Sequence, residues 1–82
     1  MIPRLMITPA QCRAGRSLIK WSQNDLAKVS QVGVATIRVF ETEKAKTRPA
    51  IINALQRALE DAGVIFVAQN GYGAGARLRD KV

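Results

Sequence analysis

Residues Ser22 to Glu41 read SQNDLAKVSQVGVATIRVFE, and the way this stretch breaks in its middle decides the fold. Ser22 can accept a hydrogen bond from a backbone N–H that a helix start leaves unpaired, and Asp25 three residues on completes an S-x-x-D cap. The Asp25 charge also lies near the positive helix end. A helix is therefore expected from Gln23. After Val29 the run SQVG interrupts it, and Gly33 serves as a weaker N-cap for a second helix from Val34 to about Thr42. A connection of about three or four residues forces the two helices to cross sharply. Leu26, Val32, Ile37 and Phe40 then form a shared core. Ala27 lies at the crossing, where a larger side chain would push the second helix away.

Two helices meeting at such a turn form a helix-turn-helix. The segment WSQNDLAKVSQVGVATIRVFE resembles that of the bacterial and phage repressor family that includes the lambda repressor, the XRE or Cro/CI type. The resembling region runs from Pro9 to about Ala62. Its strongest elements are Trp21-Ser22-Gln23, Leu26-Ala27, Ala35-Thr36-Ile37 and Phe40-Glu41. The pattern departs at the turn, where Gln31, beside Ser30, takes the position usually held by glycine. A left-handed backbone there would cost on the order of 1 kcal/mol relative to glycine.

The resemblance implies a mainly α, four-helix lambda repressor-like DNA-binding domain whose second motif helix enters the major groove of double-stranded DNA. It further implies an ion pair between Arg16 of the first helix and Glu41, and a contact from Gln23 to the DNA backbone or a nearby base, with Asn24 assisting. With Ile37 and Phe40 turned inward, Val34, Ala35, Thr36, Arg38 and Thr42 are the candidate DNA contacts of the reading helix. Val34 and Ala35 can make only apolar contacts, for which the thymine methyl is the available target. Arg38 can grip guanine or a phosphate. Lys44, Lys46, Thr47 and Arg48 follow in a polar loop placed to reach flanking phosphates, contacts that position the protein without reading sequence.

The remaining chain divides into an arm (1–7), the helical domain (8–63) and a C-terminal extension (64–82). Met1 to Ile7 fits both an arm reaching DNA and a short strand. Thr8, Pro9 and Gln11 spell out a capped start for a first helix running to about Lys20. Cys12, Arg16 and Ile19 recur along it at helical spacing, and an arginine on the apolar side requires a partner. Pro49 starts a fourth helix with a stripe of Ile52, Leu55, Leu59 and Ala62, which Gly63 terminates. Val64–Val67 and Ala76–Arg79 read as strands of a hairpin around the turn-forming NGYGAG. A lone hairpin is marginal in water, so it must pack on the helices or pair with a second chain. The Gly71, Gly73 and Gly75 spacing lacks the following helix of a phosphate-binding loop and reads as a plain turn.

Composition agrees with a small helical DNA binder. Thirteen Lys and Arg against six Asp and Glu give a net charge of +7, which draws the chain to polyanions. No apolar run is long enough to span a bilayer and no secretory leader is visible, so a cytoplasmic protein without membrane contact is expected. The lone Cys12 cannot form an internal disulfide, and with no histidine neither a zinc site nor any cofactor is expected. Cys12 reads as a small buried residue; Arg13 and Arg16 are the cations that would activate it as a reactive thiol. An enzyme is not expected, since no nucleophile has a candidate base. Two functions therefore compete: a sequence-specific regulator acting as a homodimer, and an antitoxin-like module that binds a protein partner through its C-terminal strands. The apolar Val34 and Ala35 favour the second.

Overall fold

In a computed structural model, residues 6–68 and 73–79 are described. Four helices, α1 (Pro9–Leu18), α2 (Gln23–Ser30), α3 (Val34–Glu41) and α4 (Pro49–Asp61), precede two strands, β1 (Val64–Val67) and β2 (Gly75–Leu78). The strands pair antiparallel, Val64 opposite Leu78 and Val67 opposite Gly75. The molecule is thus mainly helical with a small hairpin at its end. Among the described residues, no helix is long and apolar enough to cross a membrane.

Local chemistry sets the helix starts. Thr8 and Gln11 form both halves of a capping box, at 3.1 and 2.9 Å, and Pro9 fills the first turn of α1, where no N–H is missed. Ser22 and Asp25 do the same for α2, at 3.0 and 2.9 Å. Hydrogen bonding from Ser22, its backbone N–H first and then its hydroxyl, holds the Asp25 carboxyl below its ordinary range.

The helix ends are less ordinary. The first helix stops at Leu18, two residues short of the expected Lys20. Lys20 adopts a left-handed backbone (φ 58°), and the N–H of Trp21 turns back to the Arg16 carbonyl at 2.9 Å. Glu43 (φ 58°) ends α3 likewise, with the Lys44 N–H on the Val39 carbonyl. Gln31 (φ 64°) ends α2, so the turn does require the left-handed residue that glycine supplies most cheaply. Its side chain offsets part of that cost by donating to the Lys28 carbonyl at 3.0 Å. Gly63 (φ 105°) is the glycine stop of the set.

Leu26, Val32, Ile37 and Phe40 are all buried, joined by Ile52, Leu55, Ala58, Leu59 and Val64. The stripe of α4 needs one correction. Ala62, expected inside, is exposed because the chain leaves the helix there, and Ala58 and Gln56 are buried instead. Gln56 is a polar group in the core with both ends occupied. Its Oε1 accepts from the Ile7 N–H at 3.2 Å, and its Nε2 donates to Glu60 at 3.1 Å. Ile7 is therefore a core residue, whereas residues 1–5 of the arm lie outside the described set.

Of the two options for the hairpin, the structure shows packing on its own helices. Gly15 of α1 makes room: a Cβ there would meet the Phe66 ring at 3.2 Å and the Val64 side chain at 3.4 Å. Gln11 completes the clasp, its Nε2 donating to the carbonyls of Val67 (3.0 Å) and Gly75 (2.9 Å), so one amide serves a helix start and both strands. The second strand begins at Gly75, one residue before the expected Ala76, and ends at Leu78. The centre of the NGYGAG turn, Gly71 included, lies outside the described residues.

Candidate nucleic-acid interface

The inner side of α3 is anchored by a charged hub. Glu41 is 2% exposed and accepts at both oxygens: Oε1 from Arg16 Nη2 (2.7 Å) and Gln23 Nε2 (2.9 Å), Oε2 from Arg16 Nε (2.7 Å) and the Cys12 thiol (3.1 Å). Arg13 donates to the Glu41 backbone carbonyl, and Arg16 Nη1 reaches the Trp21 carbonyl at 3.1 Å. The guanidinium thus grips the carboxylate with two parallel bonds, the strong geometry for such a pair. Burial works to raise the Glu41 carboxyl, but the hydrogen bonds from Arg16, Gln23 and Cys12 outweigh it, and the group titrates below its usual range. Burial and the Glu41 contact push the Cys12 thiol well above its ordinary value. Such a thiol is a packed donor, not an activated nucleophile.

Outward, α3 is a different surface. Ala35, Thr36, Arg38 and Thr42 are exposed, while Val34 and Val39 are half-buried. Ala35, Thr36 and Val39 form one wall of a groove of about 410 Å³, closed by Lys46, Thr47 and Arg48 from the loop and Ile51 from α4. The structure therefore brings the expected Ala35, Thr36, Lys46, Thr47 and Arg48 to one place. Val34, Arg38, Thr42 and Lys44 do not line the groove. The Thr42 hydroxyl instead donates back to the Arg38 carbonyl at 2.7 Å, which spends its proton on ending the helix.

Two groove residues were absent from the expected contacts. Val39 lies four residues after Ala35 and so shares its helix side, a relation the 3.6-residue period makes visible. Ile51 adjoins the apolar stripe of α4 and had no separate signal. The loop 43–48 also borders a second hollow of about 630 Å³, where Phe40, Glu43, Ala45, Lys46 and Thr47 face Pro9, Pro49 and Ile52. Lys46 and Thr47 line both hollows, so the loop stands as a ridge between them.

Gln23 is placed at the first turn of α2, but its amide is already engaged with Glu41. One amide hydrogen is committed inward, leaving the second hydrogen and the carbonyl. Asn24 is exposed beside it. Among the described residues, Arg38, Lys44, Lys46 and Arg48 form no ion pair, so their charge is directed at solvent or a ligand. The arrangement is an uncovered helix side with an apolar floor and a cationic border. In comparisons with known proteins, no family model matches the chain, and no curated protein matches it either.

Proposed function

We propose that the chain is a sequence-specific DNA-binding transcriptional regulator of the XRE, lambda repressor-like type, working in the cytoplasm as a homodimer on a two-part site. In this reading α2 and α3 form the helix-turn-helix and α3 lies in the major groove. The first turn of α2, with Gln23 and Asn24, meets one phosphate strand, and Lys44, Lys46, Thr47 and Arg48 meet the flanking phosphates. Arg38 grips a guanine edge or a phosphate at the side of the helix. One observation carries the reading: the core-facing side of α3 is held by a complete hydrogen-bond hub, whereas its other side is left uncovered next to cations that form no ion pair among the described residues. Rigid support behind an open basic face is what groove recognition needs.

The test is a salt titration of the full chain on random duplex and on duplexes enriched from a random pool. A regulator keeps an enriched site at physiological salt, with affinity falling linearly on a log–log salt plot. Weak binding with no preferred site at any salt would remove the reading.

A second reading, an antitoxin-like module that docks a protein through its C-terminal strands, is favoured by one feature. The second strand exposes Arg77 and Leu78 (42%), with Arg79 exposed just after it, and β1 is the strand paired with it among the described residues. Leu78→Asp separates the two readings. It leaves duplex affinity of the monomer unit unchanged, but abolishes partner capture if the strands are the working surface.

A further inference from the structure

The groove beside α3 is poor in hydrogen-bonding chemistry where base edges would be met. Ala35 and Val39 share one side of the helix and Ile51 faces them across the groove, so three apolar side chains from two helices line it. Val34, half-buried at the first helical position, adds a fourth apolar group at the helix start. Thr36 supplies the hydroxyl that α3 brings to the groove, and Arg38 lies outside its lining. Lys46, Thr47 and Arg48 stand at the loop border, where long cationic side chains meet phosphates.

An apolar side chain pressed on the edge of a purine or a cytosine strips water from donors and acceptors and returns no bond. The exception in the major groove is the methyl group on C5 of thymine. A methylated cytosine carries the same group on the same ring carbon, although its remaining edge is a donor where thymine has an acceptor.

Resting on the DNA-binding reading above, we infer that α3 recognises the C5 methyl of pyrimidines through Ala35, Val39 and Ile51, accepting thymine and 5-methylcytosine where uracil and cytosine are refused. Each covered methyl strengthens binding about four-fold, the worth of one buried carbon group. Hydrogen-bonding readers behave in the opposite way. They tolerate uracil, whose polar edge matches thymine, and reject 5-methylcytosine, whose polar edge does not.

The experiment selects duplexes from a random pool with the full chain. Each thymine of the enriched site is then replaced by T·A, U·A, C·G or 5-methyl-C·G pairs, and affinity is measured at one fixed salt. At one or more positions in each half-site, U·A and C·G weaken binding about four-fold and 5-methyl-C·G restores it. Val39→Ala, with folding checked by its melting curve, brings the thymine-over-uracil ratio at one such position close to one and leaves the salt slope unchanged. Uracil binding as tightly as thymine at every position overturns the inference. So does a selection that enriches no site while random duplex is still bound with the expected salt dependence, an outcome that spares DNA binding itself. Failure to bind any duplex ends both.

Discussion

The two sides of α3 follow opposite rules. Toward the core, Ile37 and Phe40 are packed and Glu41 satisfies four donors from three side chains, so every polar group there has a partner. Toward solvent, Ala35 and Val39 have apolar surface partly uncovered, and the neighbouring cations form no ion pair among the described residues. One helix therefore separates what the chain needs for folding from what it has left for a ligand. The contrast teaches where substitutions should register: inside as lost stability, outside as lost binding.

The contrast breaks most severely at Glu41. Glu41→Ala leaves Arg16 without its carboxylate and strands Gln23 and Cys12, an expected loss of about 3–5 kcal/mol in urea unfolding. That is a large share of the roughly 5–15 kcal/mol available to a small domain. The double change Arg16→Met with Glu41→Leu should lose clearly less than the two single changes added together, since no charge is left buried alone. Strict additivity would show that the pair does not act as a unit.

Next comes pH, which probes the same hub. Glu41 and Asp25 have folded pKa values below their unfolded ones, so their contribution is present above about pH 4 and is lost as pH falls through the folded values. Cys12 runs the other way. Its contribution is complete below the ordinary thiol value of about 8.5 and is lost as pH rises toward the raised folded value. The Glu41 or the Cys12 proton tilts stability by at most about 1.4 kcal/mol per pH unit. Thermal melts should show a plateau between the two limbs, and Cys12→Ala should flatten the alkaline one. An unchanged alkaline limb in that variant would place the loss on another group.

A smaller gain is expected at the helix stops. Lys20→Gly relieves a left-handed lysine and should raise stability by about 1 kcal/mol, read as a higher urea midpoint with an unchanged slope. The smallest stability effects belong to the outer side. Lys46→Ala and Arg38→Ala should stay within about 0.5 kcal/mol of the parent. On DNA they should diverge: Lys46→Ala weakens all duplexes alike and lowers the salt slope by about one, whereas Arg38→Ala relaxes base preference. Equal effects of both would mean that the reading face is wrongly assigned.

What could be read from residues was local. Thr8 with Gln11, Ser22 with Asp25, Pro9 and Pro49 announce helix starts because capping acts within three or four positions, and the β-branched VIFV announces a strand. The Arg16–Glu41 contact, 25 residues apart, came from resemblance, since no spacing rule reaches that far. The hidden parts are those that depend on partners distant in sequence. Gln11 reads as a cap, yet its other bonds reach residues 56 and 64 positions away. Gln56 and Gly15 gave no signal, because a polar residue on a helix reads as exposed and a glycine as a weak point until the packed neighbour is known. Lys20 and Glu43 concealed their turns because neither is glycine. Of the groove, the loop cations and Ala35 were legible. Val39 is not among the expected contacts although it shares the Ala35 side of the helix by period, and Ile51 depends on how α4 lies against α3.

The Gln11 clasp has a consequence for how the molecule comes into being. Its acceptors on Val67 and Gly75 leave the ribosome long after the helix they clasp, so the contacts of the first helix are complete only once the hairpin has been made. Closing so long a stretch of chain is slow compared with forming a helical turn, and the seam between the first helix and the hairpin should be the final piece to set and the earliest to fray.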